Sequence, residues 1–148
     1  MMHVTRRHTI SAAHRLYEYN GQCERLHGHN YKIEITVSAE NLNRLGMVLD
    51  FGLVKKILCG ALDAAWDHRT LLYDRDPLCA EMQALLHDGA ICPVPFNPTA
   101  ENMATHLATV LFPAELARAG LTNVLVTAVT VYETDNNSAT WSLDESAD

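Results

Sequence analysis

Cys23-Glu24-Arg25-Leu26-His27-Gly28-His29-Asn30-Tyr31-Lys32-Ile33-Glu34-Ile35-Thr36-Val37 passes from a turn into a strand. Tyr31, Ile33, Ile35 and Val37 alternate with Lys32, Glu34 and Thr36, the period of two that marks a half-buried strand. His27 and His29 share the parity of the apolar residues, so both imidazoles stand on one side of the backbone at the strand start. That is chelating geometry, although an H-x-H pair alone is a weak signal in a chain with eight histidines. His14 strengthens it. It ends the preceding predicted strand, Met2–His14, and pairing of the two strands brings a third imidazole to the first two. Three imidazoles with no fourth protein ligand describe a catalytic site that keeps one position open for water or substrate, and the all-nitrogen donor set favours Zn2+.

Working outward, Asn41 to Gly46 reads as a connection into a short strand, Met47-Val48-Leu49. Asp50 is a candidate N-cap, and Phe51, Val54, Leu58, Ala61, Leu62 and Ala65 recur at helical spacing, which predicts a helix from Asp50 to about Trp66. It leads into Asp67-His68, a carboxylate beside an imidazole, which acts as a proton relay only where the fold brings it to the site. Residues 69–98 read as a long variable connection with a short helix around Leu78 to His87; Cys92 to Pro98 is too proline-rich for a regular element. A second helix begins at Asn97 or Thr99, carries Met103, Leu107, Val110 and Leu111 on its apolar stripe, and is expected to end at Pro113. Thr122 to Thr134 and Ser138 to Leu143 read as a hairpin across Asp135-Asn136-Asn137. In the first of these strands Val124, Val126 and Ala128 have one parity and Leu125, Val129 and Val131 the other, so both faces read as apolar. Two helices cover one face, and a neighbouring subunit is the expected cover for the second.

The 148 residues are expected to form a single domain, 1–148, with only the tail Asp144 to Asp148 disordered. A net charge of −7 argues against nonspecific binding to nucleic acid or to an anionic membrane. The polar opening MMHVTRRHTI and the lack of any apolar run near 20 residues lead to a cytoplasmic expectation. Four cysteines without C-x-x-C spacing give no disulfide or zinc-ribbon pattern. Cys23, four residues before His27, reads either as a fourth ligand or as a thiolate base near the cation. Glu133, near the end of an apolar strand, needs a partner there, and a ligand donor is one.

Ala12-Ala13-His14, Cys23-x-x-x-His27-Gly28-His29, Asp67-His68, Asn97-Pro98-Thr99-Ala100-Glu101-Asn102 and Val131-Tyr132-Glu133-Thr134 occur in the order and character of one family. Across nearly its whole length the chain resembles the 6-pyruvoyl-tetrahydropterin and 6-carboxy-tetrahydropterin synthases. The resemblance implies the tunnelling fold of class α+β: an antiparallel four-stranded sheet with two helices on one face, and sheets of several subunits joined into a barrel, typically a homohexamer with sites at subunit interfaces. It implies a lyase that uses Zn2+ on His14, His27 and His29, with Cys23 as catalytic cysteine and Asp67 and His68 as relay. Glu133 is implied as the anchor of the pterin ring, with Thr99 and Glu101 as further substrate contacts. Its bacterial carboxy-synthase branch, whose close C-x-x-x-H-G-H spacing is the one present here, turns 7,8-dihydroneopterin triphosphate into 6-carboxy-5,6,7,8-tetrahydropterin, triphosphate and acetaldehyde on the route to queuosine.

Two departures from the pattern stand out. The connection after Asp67-His68 is longer than in compact members, and Glu24 occupies the position, three residues before the H-x-H, where some members carry a catalytic glutamate instead of the cysteine. A pyruvoyl synthase or a 6-hydroxymethyl-dihydropterin-forming folate-pathway enzyme are therefore the nearer alternatives. Arg15, Arg25 and Lys32 are the basic residues nearest the zinc motif that could answer the triphosphate. A remoter alternative is a cupin-like metal-binding module, because Gly21-x5-His27-x-His29-x4-Glu34 nearly fits its metal motif. Glu34, however, has the opposite strand parity from the histidines.

Overall fold

A computed structural model describes residues 1–143; the tail from Asp144 to Asp148, expected to be disordered, lies outside them. Strands β1 (Met2–His14) and β2 (His27–Ala39) pair antiparallel over their full length, from Met2 opposite Ala39 to His14 opposite His27. β5 (Leu125–Thr134) adds to the other edge of β2, and β6 (Asn137–Ser142) closes the hairpin expected at that position. Ile10, Ala12, Tyr31, Ile33, Ile35, Val37, Val129 and Val131 form the buried face of this sheet.

Two long helices pack on that face. α1 covers residues 51–66 and is capped by Asp50, whose carboxylate accepts the Gly52 N–H at 2.7 Å; it buries Val54, Leu58, Leu62 and Trp66. α3 covers residues 100–118 and buries Met103, Leu107, Phe112 and Leu116. Full burial of each such side chain contributes roughly 1.5–3 kcal/mol. The expected stop at Pro113 does not occur. The helix widens over Leu107–Leu111, where the Phe112 N–H bonds the Leu107 carbonyl five residues back, and this wider turn absorbs the proline's missing donor.

The four-stranded antiparallel expectation is corrected to a six-stranded mixed sheet in the order β4-β3-β1-β2-β5-β6. The stretch 69–98, read as a connection with one short helix around Leu78 to His87, holds that helix as α2 (Pro77–Leu85), and with it two unexpected strands, β3 (Thr70–Tyr73) and β4 (Ile91–Val94). β3 runs parallel to β1, and β4 parallel to β3. Strands of four residues are too short to show a period, and Pro93 is tolerated because β4 is the edge of the sheet, where a missing N–H needs no partner. Met47-Val48-Leu49 forms no strand. Val48 and Leu49 are buried in a loop, and just before them the Asn43 side chain accepts the Leu45 and Met47 N–H groups.

The apolar second face of β5 is also corrected. Ala128 stands opposite Thr36 while Val126 stands opposite Val37, so Thr127 is an extra residue that reverses the parity. Val126 and Val129 therefore both turn to the core, and Leu125 is exposed. The far face of the sheet is polar: Thr5 bonds Thr36 (2.8 Å), Thr130 bonds Thr140 (2.7 Å) and Arg7 pairs with Glu34 (2.9 Å). That pairing holds Glu34 away from the histidines and removes the cupin-like ligand set.

Candidate active site

His14 ends β1 on the core face, His27 lies directly opposite it on β2, and His29 follows two positions later on the same face. One nitrogen from each ring lies within 4.8 Å of the others. His14 Nδ1 is 2.7 Å from the Pro98 carbonyl and His27 Nδ1 is 2.6 Å from the Arg25 carbonyl. A carbonyl only accepts, so both Nδ1 atoms carry the proton and both Nε2 atoms are free to ligate. His14 is buried; desolvation lowers its pKa to about 4, against the Pro98 hydrogen bond and with help from the neighbouring His27 and His29. Burial likewise lowers His29, against the pull of Glu133.

With the rings neutral, the His14 and His27 Nε2 lone pairs face each other at 3.1 Å, and the buried His29 Nε2 beside them has no hydrogen-bond partner. Two acceptors with no proton between them repel each other, the third ring nitrogen beside them is buried without a partner, and a shared cation relieves both conditions. The residues present therefore fit a metal ion.

Glu133 has the parity of Val129 and Val131 and is brought to the same face. The β5–β6 register shifts between Tyr132 and Thr134, so Glu133 is a bulged residue whose carboxylate comes within 4.0 Å of His29 Nε2. It lines a cleft of about 200 Å3 with Thr99, Glu101, Leu16 and Ser138. Thr99 is also the cap of α3, its hydroxyl accepting the Asn102 N–H at 3.1 Å. Tyr31, one step along β2 on the same face, is fully buried, and burial together with Glu133 raises its phenol pKa.

Other expected residues lie elsewhere. Cys23 and Glu24 sit on the single 3-10 turn Gln22–Glu24, tethered where the Leu16 N–H donates to the Cys23 carbonyl at 2.9 Å. Cys23 is not among the clustered ligand atoms. Asp67 and His68 pair with each other at 2.9 Å and join the margin of β1: Asp67 accepts the Ser11 N–H, and the His68 N–H donates to the Ser11 carbonyl. These bonds hold the Asp67 carboxyl below its usual pKa, that from Ser11 most strongly. His68 has left-handed backbone (φ 59°), and its ring is 80% exposed. It lines an open cleft with Ser11, Ala12, Ala13, His29 and Asn30. No hydrogen bond among the described residues joins this pair to Cys23 or to the three histidines.

Arg15 is committed elsewhere. Its guanidinium grips the buried Asp76 through both carboxylate oxygens, Nε to Oδ2 at 2.6 Å. Sequence reading missed the supports of the site. Asn97 clamps Tyr17 by accepting its N–H (2.9 Å) and donating to its carbonyl (3.1 Å), and Pro98 supplies the carbonyl that orients His14. An N-P pair before a helix signals a turn but not the strand end that the turn will hold.

Residues 3–143 match the family described as 6-pyruvoyl tetrahydropterin synthase. The 6-carboxy-5,6,7,8-tetrahydropterin synthase of Rickettsia conorii is 38% identical over 136 residues, covering 92% of this chain and 96% of the relative. A probable enzyme of the same name from Halobacterium salinarum is 37% identical over 125 residues, 84% of this chain and 76% of the relative. Among solved structures, the 6-pyruvoyl tetrahydropterin synthase of Caenorhabditis elegans superposes with a TM-score of 0.68 at 25% identity, covering 97% of this chain and 96% of that one. An uncharacterized protein of Wolinella succinogenes reaches 0.78 at 22% identity, covering 97% and 98%. No helix among the described residues is long and apolar enough to cross a membrane.

Proposed function

The chain belongs to the 6-pyruvoyl tetrahydropterin synthase family and is a lyase-type pterin synthase, and from that premise we propose that it is a zinc-dependent 6-carboxy-tetrahydropterin synthase. It converts 7,8-dihydroneopterin triphosphate to 6-carboxy-5,6,7,8-tetrahydropterin with release of triphosphate and acetaldehyde, a step toward queuosine. The observation that carries the reading is the convergence of three imidazoles and Glu133 on one face of the sheet end. The names of relatives that match over most of the chain favour the carboxy product.

His14, His27 and His29 would hold Zn2+, which would supply Lewis acidity toward the substrate's side-chain oxygens. Glu133 takes the guanidine-like edge of the pterin ring through two parallel charge-assisted hydrogen bonds, while Thr99 and Glu101 border the same cleft. Cys23, as thiolate, moves protons between ring and side chain, and Asp67 with His68 relays them. Adjacent residues on one 3-10 turn point about 120° apart, so Cys23 and Glu24 do not both face one substrate. Among the described residues the Asp67–His68 pair bonds to itself and to Ser11, with no hydrogen bond to its own chain's histidines. A homohexamer with sites at subunit interfaces would let it serve the site of another copy, and in this reading one domain is one subunit of that assembly.

Incubation with 7,8-dihydroneopterin triphosphate and identification of the pterin by mass tests the proposal. The carboxy product with one acetaldehyde per turnover is expected. A pyruvoyl or hydroxymethyl product assigns the chain to another branch, and no turnover with zinc bound overturns the reading. A Cys23→Ala variant that keeps full activity removes the thiolate and assigns its place to Glu24.

A further inference from the structure

Tyr31 is completely buried, yet its hydroxyl has no hydrogen-bond partner, a condition it shares among the described residues with His29 Nε2 and Ser38 Oγ. Its ring stands edge-on to those of His29 and His14, with centroids 5.3 and 5.8 Å away. Phenylalanine would fill the same space with no donor left unsatisfied, so in the ligand-free chain the hydroxyl is a net cost. Lys32 stands opposite Tyr132 and Ile33 opposite Val131, so Glu133 is the next residue of the neighbouring strand alongside Tyr31, on the face they share. Among the described residues its carboxylate makes no hydrogen bond, and it sits on a bulge of the β5–β6 pairing, 4.0 Å from His29 Nε2. A carboxylate has about four acceptor positions, and the two donors of a pterin edge leave the others open.

We propose that Tyr31 is a positioning residue whose O–H donates to the Glu133 carboxylate when a pterin is bound, holding it in line with the ring edge. This rests on the reading of Glu133 as the pterin anchor. The hydroxyl is then unpaired in the empty chain because its partner turns toward it only in the complex.

The test uses the zinc-loaded protein and 7,8-dihydroneopterin, which carries the ring but has no triphosphate to lose, titrated by calorimetry. Tyr31→Phe is expected to weaken its binding about tenfold, the worth of one hydrogen bond to a charged group. KM for the triphosphate substrate rises by a similar factor, with kcat held to within about twofold. Zinc content is unchanged, and the ligand-free Tm is equal to or above wild type, since an unsatisfied donor has been removed. In a Glu133→Gln background, adding Tyr31→Phe brings little further loss. Unchanged probe affinity in Tyr31→Phe, a loss that persists in full in Glu133→Gln, or a lowered ligand-free Tm would each overturn the proposal. Glu133→Gln binding the probe as tightly as wild type instead overturns the anchor reading itself, whatever Tyr31→Phe does.

Discussion

His14 and Arg15 are consecutive residues at the end of β1, and their surroundings are opposite. His14 is desolvated, with its Nε2 facing another nitrogen lone pair; Arg15 is paired with both oxygens of a carboxylate from the start of α2. The difference separates groups held for something outside the chain from groups that hold the chain. The first kind comprises His14, His27, His29, Glu133 and Tyr31, all on one face. The second comprises Arg15–Asp76, Asp67 with Ser11, and Asn97 with Tyr17, which fix the backbone around them. Replacing a group of the first kind should cost binding or chemistry, and replacing one of the second should cost stability.

The sharpest break in this contrast is His27→Ala, which is expected to abolish turnover, since even weakening an outer partner of a metal ligand costs roughly 10–100-fold. The metal-free chain should unfold at the same urea concentration as wild type. Next, His68→Ala is expected to lower kcat by roughly 10²–10⁴ while zinc is retained. Mixing inactive His27→Ala subunits with His68→Ala subunits should restore activity if the pair serves another copy's histidines. Recovery of none of it after unfolding and co-refolding would place the pair elsewhere in the mechanism.

Asp76→Asn probes the paired side. Removing one partner of a largely buried pair is expected to cost about 2–3 kcal/mol in urea denaturation. Arg15 holds the Asp76 carboxyl below its usual range, so this contribution is complete above about pH 4 and is lost as pH falls through the lowered value. The variant should lack that acid dependence. The smallest effect is Thr99→Ala, whose lost cap costs about 1 kcal/mol, with the change in KM reporting whether the hydroxyl also meets substrate.

What the sequence made readable follows from the range of each interaction. The alternation of β2 placed His27 and His29 on the buried face, and the polarity of Asp50 ahead of a helical stripe located α1; both signals are local. β3 and β4 are too short to alternate, Pro93 disguises an edge strand, and the widened turns of α1 and α3 leave no compositional mark. The bulge at Thr127 inverted the parity argument for β5, because counting by two fails at one extra residue. Within the site, the three ligands were readable, whereas the Pro98 carbonyl and the Asp76 partner of Arg15 lie 84 and 61 residues from the groups they serve. A backbone acceptor has no sequence signature at all.

The central claim, that three neutral imidazoles form a cation site, is tested most directly by metal analysis of the purified protein alongside its His27→Ala variant. One zinc per chain is expected in the wild type, with nitrogen-only protein ligands in its X-ray absorption spectrum, and loss of that zinc in the variant. A wild-type protein without stoichiometric metal after zinc loading, or a variant that keeps it, would show that the three histidines are not a metal site.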